Sequence, residues 1–329
     1  MALFPTTYST LSSPALAKEL TEKYGLADAR CQFLVRGVAD TYRVDTHRAR
    51  FILRVYRSSH RKLEQIEAEV KLLLALKQSD VSAAYPIEDK TGQFIQQLDA
   101  AEGIRHAVLF TYAPGDVVAI LNPGQLRLLG QQMANFHNVS TTLDLGTSRW
   151  KFDVNTTLVN PLRMTETAFA EDPEGYVMLK EKSEQVRRQL GRFNTSTFSS
   201  GYCHFDFLSK NFHFEGDHRL TFFDFDFFGY GWTINDVMTF WVQLCLDVHF
   251  GRMKQFDADR AYEIFVAAYR DHRAINDEEL AAIPYLSLGF WLFYLGFYTT
   301  HDQFYPLLTN PHLKARTTMI RQLMNRYVG

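Results

Sequence analysis

Cysteine is scarce in this chain, which has only three Cys among 329 residues, at positions 31, 203 and 245. Their wide spacing fits neither a metal motif nor a disulfide framework, so we expect reduced thiols in a cytoplasmic protein. A charge excess of one sign is also missing, because 35 Lys and Arg residues stand against 37 Asp and Glu residues. The sequence therefore lacks the basic excess of a nucleic-acid-binding protein, and no nucleic-acid partner is predicted.

Long apolar runs are rare as well. The one membrane-like stretch without Asp, Glu, Lys or Arg covers residues 281–300, which is close to the length that a membrane span requires. Pro284, Gly289 and Gly296 interrupt it and acidic residues flank it, so we expect a buried helix and no membrane partner. The N-terminal residues show no basic segment followed by an apolar run, and no secretory signal is predicted.

Aromatic residues are abundant, at 14% of the chain with 27 Phe among them. Rings in this number must pack in a core or line a pocket. The apolar fraction of 46% and the charged fraction of 22% are ordinary for a soluble globular protein and argue against disorder. The length is sufficient for two domains or for one large two-lobed unit.

Local patterns divide the chain into a strand-rich first third and a mostly helical remainder. In the first third, cap signals and apolar periodicity predict helices over 14–24 and 61–78. Alternating residues predict strands at 31–35, 41–45, 50–57, 93–98 and 107–112. The Ala-Pro-Gly-Asp cluster at 113–116 marks a domain boundary. Later helices are predicted at 124–137, 174–192, 234–250, 257–273, 278–298 and 311–327, with a strand-rich insertion at 202–231.

The strand-rich insertion contains the residues best suited to chemistry. It reads H-F-D-F-L-S-K-N from His204 to Asn211, and a Phe-rich strand later ends at Asp224 and Asp226. Carboxylate and amide oxygens suit Mg²⁺, which also takes phosphate oxygens. An Asp and an Asn five residues apart can divide the work, because the carboxylate accepts a hydroxyl proton while the amide holds a metal.

This combination of H-x-D-x4-N, a hairpin and a strand ending in D-x-D resembles the aminoglycoside phosphotransferase and choline kinase-like family, over about residues 31–241. The resemblance implies an α+β, two-lobed protein-kinase-like fold. Residues 1–113 would form a small antiparallel-sheet N-lobe and residues 114–329 a mostly helical C-lobe. It also implies ATP and Mg²⁺ as cofactors, with GTP left open, and transfer of the γ-phosphate to a hydroxyl of a small molecule.

The resemblance also implies roles for individual residues of the insertion. Asp206 matches the catalytic aspartate that orients and deprotonates the acceptor hydroxyl. Asn211 and Asp224 match the metal ligands, and Asp226, at an acidic position two residues after the metal aspartate, is included with them as a candidate metal residue. Two further residues match positions that support the catalytic loop, His204 and Asp236.

In the first third, Arg54 matches the cation that binds the nucleotide phosphates, and Glu69 matches its ion-pair partner, with Glu67 as the fallback. Lysine is commoner than arginine at that position, which is why the choice between ATP and GTP stays open. Four residues are implied to meet the nucleotide through the phosphate turn and the hinge, Gly37, Thr41, Phe110 and Tyr112. The turn is poor in glycine, a departure from the family pattern.

Three other functions stay open at this point. A protein Ser/Thr kinase would share the fold. An aspartyl-nucleophile phosphatase could use the D-x-D pair, although that motif normally opens its domain and about two hundred residues precede it here. A catalytically inactive binding protein would have lost a catalytic group, whereas Asp206, Asn211 and Asp224 are all present. The small acceptors considered are an amino alcohol, a homoserine-like compound, a sugar and an aminoglycoside. The aromatic C-terminal helices favour a small amino alcohol or another small hydroxyl compound over an aminoglycoside.

Overall fold

The computed structural model describes residues 4–329, which form two compact units. The first unit extends to Asp116 and includes the later segments Asp144–Arg149 and Thr221–Asp226. The second consists of Val117–Leu143, Trp150–Leu220 and Phe227–Gly329. The sequence-based division at residue 113 stays a prediction.

The first unit is built on a five-stranded antiparallel sheet with the strand order β1-β2-β3-β5-β4. Its strands are β1 Arg30–Arg36, β2 Ala39–Asp45, β3 Arg50–Tyr56, β4 Ile95–Ala100 and β5 Gly103–Thr111. Successive side chains of a strand point to opposite faces. Leu53 and Val55 of β3 therefore lie on one face of the sheet, and Arg54 and Tyr56 lie on the other.

Two helices belong to this unit, α1 Ser13–Tyr24 and α2 Leu63–Gln78. The Ser12 side chain caps α1 at its start, and Gly25 ends the helix with a φ of 70°, a conformation that glycine adopts without strain. The helix predicted over 14–24 is thus confirmed. The apolar face of α1 packs on the sheet in a core formed by Leu16, Leu20, Tyr42, Val44, Leu53, Val55, Ala107 and Leu109.

The second unit is mostly helical. Its helices are α3 Pro123–Ser140, α4 Asn160–Thr165, α5 Pro173–Leu190, α6 Ile234–His249, α7 Gln255–Arg270, α8 Asp277–Tyr298 and α9 Asn310–Tyr327. The remaining strands of the chain are β6 Trp150–Phe152, β7 Ser200–Cys203, β8 Phe212–Glu215, β9 Arg219–Phe222 and β10 Gly229–Trp232. In this unit β10 lies between β6 and β7, parallel to the first and antiparallel to the second.

Helix α8 is the apolar stretch noted in the sequence. It is long and apolar enough to cross a membrane, but 78% of its most apolar window is buried within the protein. Gly289 and Gly296 let the helix approach its neighbours closely, because an added Cβ would lie 3.0 Å from Thr157 and 2.9 Å from Pro161, respectively. The predicted buried helix is confirmed, and burial of this kind is typical of a core helix.

Candidate functional site

In the first unit, Arg54 is the centre of a buried charge cluster. Its Nη1 lies 3.1 Å from Asp224 Oδ1 and 3.7 Å from Glu69 Oε1, and its Nη2 is paired with Asp226 Oδ2. The Arg54 side chain is only 10% exposed. Burial lowers the pKa of Arg54, but the neighbouring carboxylates, Asp224 foremost, outweigh burial and raise it. The guanidinium is therefore fixed as a cation.

Glu69 of α2 is buried on the same face as Arg54. The Tyr56 hydroxyl donates a hydrogen bond to Glu69 Oε2 at 3.2 Å, and burial followed by the Glu69 charge raises the pKa of Tyr56. Tyr56 thus remains a proton donor to the carboxylate. Of the two acidic residues considered from the sequence, the structure brings Glu69 to Arg54.

Asp224 and Asp226 differ in exposure although they are two residues apart. The Asp224 side chain is 43% exposed, and its backbone has a φ of 64°, which is uncommon for a residue other than glycine. The Asp226 side chain is 4% exposed. The strand-end motif therefore presents one accessible carboxylate and directs the other into the Arg54 cluster.

Two arginines hold the backbone of this motif and were not singled out from the sequence. Arg61 Nη2 and Arg149 Nη2 donate to the Asp226 carbonyl at 2.8 and 2.6 Å. Burial lowers the pKa of Arg61 to about 10 and that of Arg149 to about 9. A basic residue just before the first turn of α2 opposes the helix dipole, and that placement was the one local signal for Arg61. Nothing in the sequence around Arg149 marks it.

The predicted turn and hinge residues lie on the sheet of the first unit. The Gly37 amide donates to the Ala39 carbonyl at 3.0 Å, which closes the tight connection between β1 and β2. Thr41 is opposite Arg54 in the β2–β3 ladder. Phe110 is buried near the end of β5, and Tyr112 follows the strand and is half-buried.

In the second unit, the loop from His204 to Asn211 is anchored by Asp236 of α6. Asp236 Oδ2 accepts from the His204 amide at 2.8 Å, and Oδ1 accepts from the Phe205 amide at 2.7 Å. Phe205 has a φ of 61°, so these bonds stabilise an unfavourable backbone conformation next to Asp206. His204 Nδ1 accepts from the Asp206 amide at 3.3 Å. Both residues that were expected to support the loop thus bond to its backbone.

His137 of α3 extends this network and was not identified from the sequence. Its Nε2 lies 3.0 Å from Asp236 Oδ2, and its Nδ1 lies 2.8 Å from the Tyr269 hydroxyl. Burial is the main reason that the pKa of His137 is lowered. The apolar spacing of α3 gave no sign that this histidine would reach Asp236, because their pairing depends on how α3 and α6 pack.

Asp206 is almost fully buried, and two neighbours of the same loop fix its carboxylate. Its Oδ2 accepts from Asn211 Nδ2 at 2.7 Å and from Lys210 Nζ at 2.8 Å. Asn211 Nδ2 also donates to the Asp206 carbonyl at 2.8 Å. Because the amide nitrogen of Asn211 donates to Asp206, the amide oxygen of Asn211 points away from the Asp206 carboxylate. Lys210 is the fourth residue of the site, after Arg61, Arg149 and His137, that the sequence interpretation missed.

The oxygen groups of these residues suit a magnesium ion. Within residues 4–329, no three His, Cys, Asp or Glu side chains are grouped as a protein-only metal cage. Mg²⁺ does not need one, because it binds through one or two protein oxygens and completes its shell with water and phosphate. Asn211 offers an amide oxygen and Asp224 an exposed carboxylate, so the donor chemistry of each residue fits this ion.

Comparison with known proteins identifies similar chains. An uncharacterized protein of Deinococcus radiodurans is 30% identical over 293 residues, which cover 89% of this chain and 84% of the relative. The solved structure of amicoumacin kinase hAmiN in complex with AMP-PNP, Ca²⁺ and Ami has a TM-score of 0.74 at 19% identity, covering 96% of this chain and 94% of its own. A microcompartment-associated aminopropanol kinase also scores 0.74, at 22% identity, with 94% and 95% covered.

At these identities the solved structures establish the fold, and the α+β protein-kinase-like fold expected from the sequence is confirmed. The family resemblance drawn from the H-x-D-x4-N and D-x-D motifs is confirmed as well, by a family model that matches residues 31–278. Since this match spans most of the protein, the chain belongs to the phosphotransferase enzyme family.

Proposed function

We propose that this phosphotransferase transfers the γ-phosphoryl group of ATP to a hydroxyl group of a small molecule. The observation that supports the proposal most directly is the Asp206 carboxylate, which is 1% exposed and held by Asn211 and Lys210. A carboxylate held in one orientation can accept the proton of the acceptor hydroxyl. The hydroxyl oxygen then bonds to the γ-phosphorus, and ADP leaves.

In this proposal, the remaining residues bind and orient the nucleotide. Arg54 would contact the nucleotide phosphates, with its guanidinium kept in place by Glu69. Asn211 and Asp224 would each give an oxygen ligand to Mg²⁺. The chemistry supplied by the bound ion is neutralisation of charge on the β- and γ-phosphates. Gly37 and Thr41 would lie at the phosphates, and Phe110 and Tyr112 at the base.

The acceptor that we favour is a small amino alcohol or a related small hydroxyl compound. Two structures with the same fold are named for amicoumacin and for aminopropanol, and both names describe small molecules. Aromatic side chains are frequent on α8, where Phe290, Trp291 and Tyr294 are buried and Tyr298 near the end of the helix is half-buried. Aromatic faces suit an alkylammonium group or an apolar sugar face. A protein Ser/Thr acceptor is the alternative that the same assay tests.

The test is an ADP-release screen over choline, ethanolamine, 1-amino-2-propanol, homoserine, sugars, aminoglycosides and a generic protein substrate. With the acceptor that supports turnover, Asp206→Asn should lower kcat by about 10²- to 10⁴-fold, because the proton acceptor is lost. Nucleotide affinity should remain nearly unchanged. Asp99→Asn, which alters an exposed carboxylate on β4, is the matched control.

Turnover by Asp206→Asn close to that of the wild type would contradict the role of this residue. ADP release with the protein substrate alone would contradict the choice of a small acceptor. If the wild-type enzyme releases no ADP with any acceptor and does not bind nucleotide, the proposed function is wrong.

A further inference from the structure

The segment from Tyr8 to Leu11, just before α1, is held against the sheet of the first unit by hydrogen bonds from side chains of the strands. The Leu11 carbonyl accepts from the Tyr42 hydroxyl at 3.0 Å, and the Ser9 carbonyl accepts from Arg105 Nη1 at 3.0 Å. The Thr10 hydroxyl accepts from Arg36 Nη2. Each of these residues of the segment is thus held by a side chain of a different strand.

Tyr8 contributes the contact closest to the predicted phosphate turn. Its hydroxyl donates to the carboxylate of Asp40, which lies between Gly37 and Thr41. Asp40 is fully buried, and Arg105 Nη2 also donates to its Oδ2 at 3.0 Å. Asp40 lies near the start of β2 and pairs with Val55, so its side chain is on the sheet face that packs against α1, opposite Arg54. Tyr8 and Arg105 therefore hold the strand that directly follows the predicted turn from the other face of the sheet.

The ring of Tyr8 is in turn fixed by cations. The guanidinium carbon of Arg57 lies 3.6 Å from the ring centre, and that of Arg36 lies 4.2 Å from it. Arg57 is 7% exposed, so the contact is largely protected from water, which strengthens a cation–π interaction. Burial, followed by the hydrogen bond to Asp40, raises the pKa of Tyr8. The phenol therefore keeps the proton that it donates.

We propose that Tyr8 is a positioning residue for nucleotide binding, which orients the turn at 37–41 through its hydrogen bond to Asp40. The inference rests on the proposed function, because it assigns this turn to the nucleotide phosphates. Its distinctive claim is that a residue outside the sheet and outside the family match at residues 31–278 controls nucleotide affinity. Tyr8 acts through Asp40 and does not touch the reacting atoms, so kcat at saturating ATP should not depend on it.

The test compares Tyr8→Phe and Tyr8→Leu with the wild-type enzyme by titration calorimetry with Mg²⁺ and AMP-PNP, and by steady-state kinetics. Tyr8→Phe removes the hydrogen bond but keeps the ring beside Arg57. It should raise the Kd by up to about tenfold, the value reached when the free energy of one hydrogen bond to a charged group serves entirely to orient the turn. Tyr8→Leu should raise it further. In both variants the KM for ATP should rise while kcat stays within about twofold of the wild type.

Tyr305→Phe is the matched control, because it removes the same hydroxyl from an exposed tyrosine of the second unit. A lower Tm in Tyr8→Phe with an unchanged Kd would show a purely structural role and overturn the inference. If Tyr8→Leu does not fold, Tyr8→Phe alone decides the question. If the wild-type enzyme itself binds no nucleotide, the proposed function fails first, and the inference fails with it.

Discussion

Two residues of the H-x-D-x4-N and D-x-D motifs adopt a left-handed backbone conformation that is costly for a side chain with a Cβ. They are Phe205 and Asp224, with φ values of 61° and 64°, and each such conformation costs on the order of 1–3 kcal/mol. Phe205 precedes Asp206, and Asp236 holds it by a hydrogen bond at 2.7 Å. Strain that is compensated in this way is typical of residues that orient a functional group.

Lys210 is expected to help orient the Asp206 carboxylate. Its ammonium lies 2.8 Å from Asp206 Oδ2 and its side chain is 59% exposed, so the ion pair is accessible to water. Lys210→Met should lower kcat by about threefold to tenfold, because Asp206 loses one of the two donors that orient it, while screening limits the effect. The KM for ATP should change little. Steady-state kinetics with the identified acceptor measure both quantities.

Lys18→Met is the control for this substitution, since Lys18 forms an exposed pair with Glu22 on α1. An unchanged kcat in Lys210→Met would mean that Asn211 alone suffices to orient Asp206. Lys210→Arg should recover part of the activity because it restores a cation at the same place.

At the scale of elements, a buried contact between α3 and α6 makes stability dependent on pH. Burial lowers the pKa of His137 below its ordinary value of 6.5. The unfolded chain therefore binds a proton at this residue more readily than the folded chain, and stability is lost as pH falls below 6.5. This one group can contribute a slope of up to about 1.4 kcal/mol per pH unit.

Thermal unfolding at pH 7.5 and pH 5.5 measures the effect. His137→Gln should be less stable than the wild type at the higher pH, since its contacts with Asp236 and Tyr269 change, but its Tm should fall less between the two pH values. His47→Gln is the control, because the His47 side chain is 77% exposed. Equal losses of Tm in His137→Gln and in the wild type would refute the assignment.

Local sequence signals predicted elements well where they act within a few residues. The Ser12 cap and the Gly25 stop predicted the bounds of α1 to within one residue. The strand expected at 93–98 begins later, at Ile95, because Asp89 accepts hydrogen bonds from the amides of Thr91 and Gln93 and keeps the chain in a turn. Helix α4 was missed, since six residues are too few for a helical period to stand out.

At the scale of the whole molecule, residues of the site could be predicted where their partners are close in sequence and could not be predicted where their partners are distant. The motif residues Asp206, Asn211 and Asp224 could be proposed because their spacing along the chain is short and characteristic. Arg149 could not, because it reaches the Asp226 carbonyl across 77 residues of sequence. His137 and Asp236 are 99 residues apart. Such contacts depend on which helices and strands pack together, and local patterns in a single sequence do not show this.

Nucleotide binding should stabilise the whole folded protein. A ligand that binds only the folded state at 100 times its Kd adds about 2.7 kcal/mol to stability, so Mg²⁺ with AMP-PNP should raise the Tm by several degrees. Asp224→Asn should abolish most of the Mg²⁺-dependent part, because it replaces a carboxylate ligand with an amide and reduces metal affinity by at least about tenfold. Differential scanning fluorimetry with AMP-PNP, with and without Mg²⁺, separates the two contributions.

Asp99→Asn again serves as the control and should keep the full shift. In the wild type, Arg54 pairs with the Asp224 carboxylate at 3.1 Å, so Asp224→Asn also frees the guanidinium from one anion. AMP-PNP without Mg²⁺ should consequently stabilise Asp224→Asn at least as much as it stabilises the wild type, since the phosphates no longer compete with that carboxylate for Arg54. If Asp224→Asn loses the Mg²⁺-dependent Tm shift and keeps the Mg²⁺-independent one, Asp224 binds the metal while Arg54 binds the phosphates. Loss of both shifts at an unchanged Tm of the free protein would contradict that separation.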